Sequence, residues 1–179
     1  MSKKLNRLWP AAMVAAGVLA AGLLSPLGGM RSAQAQAGSN VLTADEAAKL
    51  LPASVYFKGQ SATTQLRNSG GVKFGDGYFV LATLVDTSGY SSDLQQKYQA
   101  YFIAEAPIKI EGHDLAAGIY GVGFVGNDQF AVLDVGAHEL FKVSSHTDAD
   151  LKRPRPLTVD QAAGGFRLYA GRRYVAFAR

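Results

Sequence analysis

The spacing of apolar residues along the chain predicts a fold made mostly of β-strands. Residues 11–24 form one nearly continuous apolar run. From residue 54 onward, apolar residues alternate with polar ones or form short runs bounded by Gly, Pro, Asn and Asp, a pattern typical of strands. We therefore predict a mainly β fold, an antiparallel sandwich or flattened barrel of about 8 strands with two short helices.

Residues 118–136, GIYGVGFVGNDQFAVLDVG, form the most apolar stretch beyond residue 40 and predict the central hairpin of the sheet. With its Asn-Asp pair as a two-residue loop, Gly121 lies opposite Asp134 and one face of the hairpin is entirely apolar. On the other face, Gly121 and Gly123 leave a bare strip of backbone that a neighbouring chain element or a ligand can approach closely. This strip and Asp134 form one candidate binding surface.

The same stretch contains GVGFVG, which matches the GxGxxG motif of dinucleotide-binding proteins. In that motif the glycines lie where a strand turns into a helix, so that the helix N-terminus meets the pyrophosphate. Here a second strand pattern follows instead of a helix. The sequence therefore predicts no nucleotide site, and it predicts no cofactor of another kind.

Local sequence motifs predict the two helices. Thr43 and Glu46 have the spacing of a capping box, in which each side chain bonds the other residue's backbone N–H, and predict a helix over residues 44–51. Ser92 begins a second pattern of this kind, which predicts a helix over residues 93–100.

Turn residues predict two further features of the strands. Residues 68–71, Asn-Ser-Gly-Gly, have the composition of a turn. Residues 166–177, FRLYAGRRYVAF, predict a hairpin with Gly171 and Arg172 in its turn, because glycine is favoured at the first position of a type II′ turn.

Residues 1–37 predict a cleaved signal peptide, which leaves residues 38–179 as a single β-rich domain. Three basic residues precede the apolar run, and small residues favour cleavage near Ala35 or Ala37. The run is shorter than the roughly 20 residues of a membrane helix, so an uncleaved anchor is the less favoured alternative. We expect a periplasmic or secreted protein that contacts membrane only if the leader stays uncleaved.

Charge is unevenly distributed after the leader. Residues 38–151 carry 7 basic and 13 acidic residues, whereas residues 152–179 carry 7 basic residues and one acidic residue. A solvated face is the simple explanation. The alternative is an anionic partner, such as an envelope component or glycan, that contacts Lys152, Arg153 and Arg155. Nucleic acid is not predicted, because these charges balance overall and lack interleaved aromatic residues.

Few residues are candidates for chemistry. The chain has no cysteine, which excludes disulfides, thiolate metal sites and cysteine nucleophiles. His146, Asp148 and Asp150 would share one side of an extended segment and could help to hold a divalent ion, although the ligand number is incomplete. A solvated polar loop is the alternative. No GxSxG motif occurs, so we name no catalytic residue.

The whole chain after the leader resembles small uncharacterised secreted proteins of bacteria, especially in the segments LAAGIYGVGFV, RPRPL and RLYAGRRYV. The resemblance implies no activity and supplies no catalytic residues. We favour an exported, non-enzymatic β protein with a binding or envelope-associated role. The alternatives are a small exported hydrolase or metal-dependent enzyme, and a small outer-membrane β-barrel, which needs strands of about ten alternating residues.

Overall fold

The computed structural model describes residues 38–179 as two antiparallel sheets and two short helices. The predicted mainly β antiparallel fold is confirmed, as a sandwich-like pair of sheets that does not close into a barrel. The predicted signal peptide lies outside the described residues. Within the described part of the chain, no helix has the length and apolar character of a membrane span.

Fourteen strands and two helices follow one another along these residues. They are β1 (Asn40–Leu42), α1 (Ala44–Ala48), β2 (Ser54–Phe57), β3 (Gln60–Lys73), β4 (Phe79–Val85), α2 (Ser92–Lys97), β5 (Ala100–Ala104), β6 (Ile108–Ile110), β7 (His113–Leu115), β8 (Gly118–Val125), β9 (Gln129–Leu133), β10 (Glu139–Ser144), β11 (His146–Thr147), β12 (Arg155–Ala162), β13 (Gly165–Gly171) and β14 (Arg173–Ala178).

The larger sheet has eight strands and the smaller sheet has six. The larger sheet has the order β1-β3-β4-β5-β8-β9-β10, and β2 pairs with β3. The smaller sheet has the order β12-β13-β14-β6-β7, and β11 pairs with β14. The chain therefore enters the smaller sheet at β6, returns to the larger one at β8, and completes the smaller one with its last four strands.

The main core lies between the two sheets, because alternate residues of each strand point inward. Phenylalanines from both sheets meet there: Phe74 packs edge-on against Phe166 at 5.9 Å, and Phe102 packs edge-on against Phe177 at 6.5 Å between ring centroids. The sandwich is thus held by large apolar side chains rather than by covalent links.

The larger sheet is also covered on its opposite face. Phe57 of β2 stacks on Tyr98, which follows α2, with ring centroids 3.9 Å apart. Ala47 and Leu51, within and after α1, pack against Leu81. This second apolar layer explains why β4 and β8 are buried on both faces.

The central hairpin forms, but the predicted register of its two strands is wrong by one residue. The loop comprises three residues, 126–128, so Gly121 pairs with Leu133 and not with Asp134. Asn127 and Asp128 both adopt positive φ, 59° and 51°, which these residue types tolerate better than most. The shift moves Phe130 and Val132 onto the face that packs in the main core.

The turn predicted at residues 68–71 is also wrong, because β3 continues through it. A bulge between Gln65 and Ser69 absorbs the irregular residues, and the Ser69 hydroxyl donates to the Leu66 carbonyl at 2.6 Å. A Cβ on Gly70 would lie 3.0 Å from the Val159 nitrogen. The glycine therefore serves close packing between the sheets rather than a turn.

The predicted caps of the two helices form in one case of two, and the C-terminal hairpin forms as predicted. The capping box of α1 is present, although the helix ends at Ala48. The prediction of a second capping box that begins at Ser92 is wrong. The N-cap of α2 is Ser91, and the Ser91 side chain makes no capping hydrogen bond. The C-terminal hairpin has the predicted register, with Tyr169 opposite Tyr174.

Candidate functional site

The glycine strip of the central hairpin is covered by other parts of the chain. A Cβ on Gly121 would lie 2.5 Å from the Phe57 ring and 2.8 Å from the Tyr98 ring. A Cβ on Gly123 would overlap the carbonyl group of Lys97 at the end of α2. A neighbouring chain element, and not a ligand, therefore occupies the approach that these glycines allow.

Asp134 lies in the turn after β9 and does not face the glycines. Its carboxylate accepts a hydrogen bond from the His138 backbone N–H at 2.9 Å, and the His138 ring nitrogen Nδ1 lies 3.0 Å from the other oxygen. The backbone bond, followed by the ring contact, holds the pKa of Asp134 below its ordinary value. Asp134 therefore stabilises the turn that contains it, and it is not the residue that lies opposite Gly121.

The outer face of the smaller sheet carries a connected row of polar and aromatic side chains. Cross-strand pairing places Tyr169, Tyr174 and His146 side by side on β13, β14 and β11. His146 packs on Tyr174 with ring centroids 5.3 Å apart, and its Nε2 lies 3.2 Å from an oxygen of Glu111. The second oxygen of Glu111 accepts from the backbone N–H of Ala176.

Arg167 continues this row towards Asp148. Its guanidinium lies 4.3 Å from the centroid of the Tyr174 ring and donates to the Tyr169 hydroxyl at 3.2 Å. Tyr169 in turn donates to a carboxylate oxygen of Asp148 at 3.1 Å. The phenol of Tyr169 is protonated at neutral pH and can donate, and burial, the largest influence, raises its pKa above the ordinary value of 10.0.

The three metal-ligand candidates do not converge. His146 points to Glu111, while Asp148 accepts from Tyr169 and Asp150 is exposed on the following loop. Among residues 38–179, no group of three or more His, Cys, Asp or Glu side chains has the arrangement of a metal site. Two of the three candidates instead hold the outer face of the smaller sheet together.

The basic residues of the C-terminal segment fall into two groups. Four of the seven bind acceptors or carboxylates within the chain: Arg167, Arg172, Arg173 and Arg179. The side chains of the other three, Lys152, Arg153 and Arg155, are exposed and have no hydrogen-bond or ion-pair partner in the described part of the chain. We call these three residues the basic cluster; it lies beside the β13–β14 turn, because Arg155 pairs with Gly171.

A cleft on the outer face of the smaller sheet was not predicted. It has a volume of about 390 Å³ and lies among β6, β11, β13, β14 and the β12–β13 turn. Its lining includes Lys109, Glu111, His146, Gly165, Arg167, Tyr174, Ala176 and Ala178. The alternation of inward and outward residues in the C-terminal hairpin is the one feature of the sequence that indicates this cleft, because it places Arg167 and Ala176 on the same outward face.

No protein-family model, no curated protein and no solved structure matches this chain.

Proposed function

We propose that the protein is exported and binds an anionic component of the cell envelope, such as an acidic glycan, through the basic cluster. The proposed role is binding, without catalysis. One observation carries the proposal: the side chains of the basic cluster form no ion pair or hydrogen bond within residues 38–179, whereas the other four basic residues of the C-terminal segment all have internal partners.

The chemistry of these side chains suits a polyanion. Arginine presents a planar set of N–H donors that matches carboxylate, phosphate and sulfate groups in pairs, and lysine adds a compact positive charge. Since the donors of the basic cluster make no internal hydrogen bonds, an incoming anion displaces only water from them.

The attraction is expected to be local rather than a property of the whole molecule. Basic and acidic residues are equal in number over residues 38–179, with 14 of each. Without a net charge, long-range steering is weak, and exposed charges are screened beyond about 8 Å at physiological salt. Binding through the basic cluster is therefore expected to weaken steeply as salt concentration rises.

The test compares the exported protein with a variant that carries Lys152→Ser, Arg153→Ser and Arg155→Ser. The test ligand is an immobilised sulfated polysaccharide, titrated at low ionic strength and then with increasing salt. We expect the triple variant to bind about tenfold more weakly, which corresponds to roughly 0.5 kcal/mol for each exposed ion pair.

The matched control removes the same charge elsewhere. Lys49, Arg67 and Lys73 are exposed basic residues outside the smaller sheet, and changing all three to Ser is expected to have little effect on binding. Equal weakening in both triple variants would mean that only total charge matters. Unchanged binding after loss of the basic cluster would overturn the proposal.

A further inference from the structure

The cleft on the outer face of the smaller sheet has a floor of small residues between larger walls. Ala176 lies beside Arg167 on the neighbouring strand, and Ala178 lies beside Lys109. Because the alanines are flanked by long side chains, a depression of about 390 Å³ remains above them. This volume lies within the range of roughly 300–1,000 Å³ typical of small-molecule sites.

Arg167 is held in place at the wall of this cleft. Its guanidinium stacks on Tyr174 and donates to the hydroxyl of Tyr169, which is itself buried and bonded to Asp148. Its remaining N–H groups have no acceptor within residues 38–179. An arginine that is already ordered loses less freedom when it binds a ligand.

The other charged groups of the cleft already have partners. The Lys109 ammonium pairs with Asp114, and both oxygens of Glu111 are occupied, by the N–H of Ala176 and by His146. Asp160, the cross-strand neighbour of Arg167 on β12, makes no ion pair with it. Among the lining residues, Arg167 is therefore the cation that has no carboxylate partner within residues 38–179, and a carboxylate matches its paired donors.

We propose that this cleft binds a small molecule that carries a carboxylate on a six-membered ring, with the carboxylate against Arg167 and the ring over Ala176 and Ala178. This site is separate from the basic cluster and does not depend on the function proposed above. Aromatic acids and uronic acids are two classes of compound with such a ring, and they share the carboxylate that Arg167 would bind.

Titration calorimetry with four compounds tests the proposal and separates the two classes. Benzoate and glucuronate carry the carboxylate, and benzamide and glucose are their neutral counterparts. We expect at least one acid to bind with a dissociation constant on the order of 1 mM, as suits so small a ligand, and its neutral counterpart to bind at least tenfold more weakly. If neither acid binds at this level, or if the neutral compounds bind equally, the proposal is wrong.

Two variants locate the site. Arg167→Gln removes the paired donors, whereas Ala176→Leu fills the depression and leaves the arginine in place. We expect each to weaken binding of the acid at least tenfold, while the triple variant of the basic cluster binds it normally. Equal unfolding midpoints would show that the variants fold. Loss of binding in the triple variant together with normal binding by Arg167→Gln would overturn the assignment.

Discussion

Arg173 shows how burial distinguishes residues that look equivalent in the sequence. Arg172 and Arg173 are adjacent, but Arg172 is exposed and bonds only loop carbonyls. Arg173 donates to the carbonyls of Val125 and Gln129 at 2.6 Å and 3.1 Å, and to the Ser145 hydroxyl at 3.1 Å. It thereby ties β14 of the smaller sheet to the end of the central hairpin in the larger one.

Replacing Arg173 with Gln is expected to lower the free energy of unfolding by about 1–3 kcal/mol, because partly buried carbonyls lose their charged donor. The same change at Arg172 is expected to cost less than about 0.5 kcal/mol, since that side chain is exposed. Equilibrium unfolding in urea measures both values. Equal costs at the two positions would contradict the bridging role of Arg173.

Two individual glycines are positions at which neighbouring layers of the fold come close together. Gly70 and Gly121 lie inside strands, where glycine is usually unfavourable because it adds flexibility and no side-chain contacts. In this protein a Cβ at either position would press on a neighbouring layer, namely Val159 above Gly70 and the Phe57 and Tyr98 rings above Gly121. Because these two glycines have no side chain, the layers that pack on them can lie close to the strand backbone.

Among the secondary-structure elements, the two helices differ in how their N-termini are capped. The Thr43 hydroxyl accepts from the Glu46 N–H at 3.3 Å, and the Glu46 carboxylate accepts from the Thr43 N–H at 2.8 Å. These two bonds satisfy N–H groups that the helix itself leaves unpaired. The helix α2 has Ser91 at the same position but no side-chain bond, so its position depends on packing of Leu94 and Tyr98.

This difference gives a paired prediction for the helix caps. Thr43→Ala is expected to lower the free energy of unfolding by about 1 kcal/mol, the usual cost of losing a capping side chain. Ser91→Ala, the matched control, is expected to change it by less than about 0.5 kcal/mol, because no capping bond is lost. Guanidinium unfolding at neutral pH measures both. Similar costs for the two variants would argue against the capping role of Thr43.

Over the whole molecule, surface carboxylates link stability to pH. Five of them have a pKa below the ordinary value, mainly because each accepts hydrogen bonds in the folded protein: Glu46, Asp86, Asp114, Asp134 and Glu139. They are spread over both sheets and their connecting loops, so no single region carries the effect.

The sign of the pH dependence follows from these lowered pKa values. The unfolded chain binds protons near the ordinary values of 3.8 for Asp and 4.5 for Glu, before the folded protein does. Stability is therefore expected to be at its full level above these values and to fall as pH drops through the lower folded pKa values. Urea unfolding between about pH 6 and about pH 2 measures this fall.

The variant Asp134→Asn is the control for the predicted loss of stability at low pH. Asp134→Asn keeps an acceptor for the His138 N–H but cannot titrate, so its stability is expected to fall less steeply on acidification. Stability that rises as the pH is lowered, or an unchanged slope in the variant, would contradict the role given to these carboxylates.

The sequence by itself determined the features whose cause lies within a few neighbouring residues. These include the β class, the capping box of α1 and the register of the C-terminal hairpin, where a glycine turn and facing aromatic residues agree. The exposed positions of Lys152, Arg153 and Arg155 also agree with a polar, proline-containing segment.

Only the tertiary structure decided features whose cause lies far along the chain. The end of the central hairpin is held by Arg173, more than forty residues away. The strand β3 continues, with a bulge, through a turn-like sequence, and its Gly70 packs against Val159 of the other sheet. The cleft combines strands from separate parts of the chain. Local patterns cannot encode such contacts, since the free energy that selects them arises from packing between residues distant in sequence.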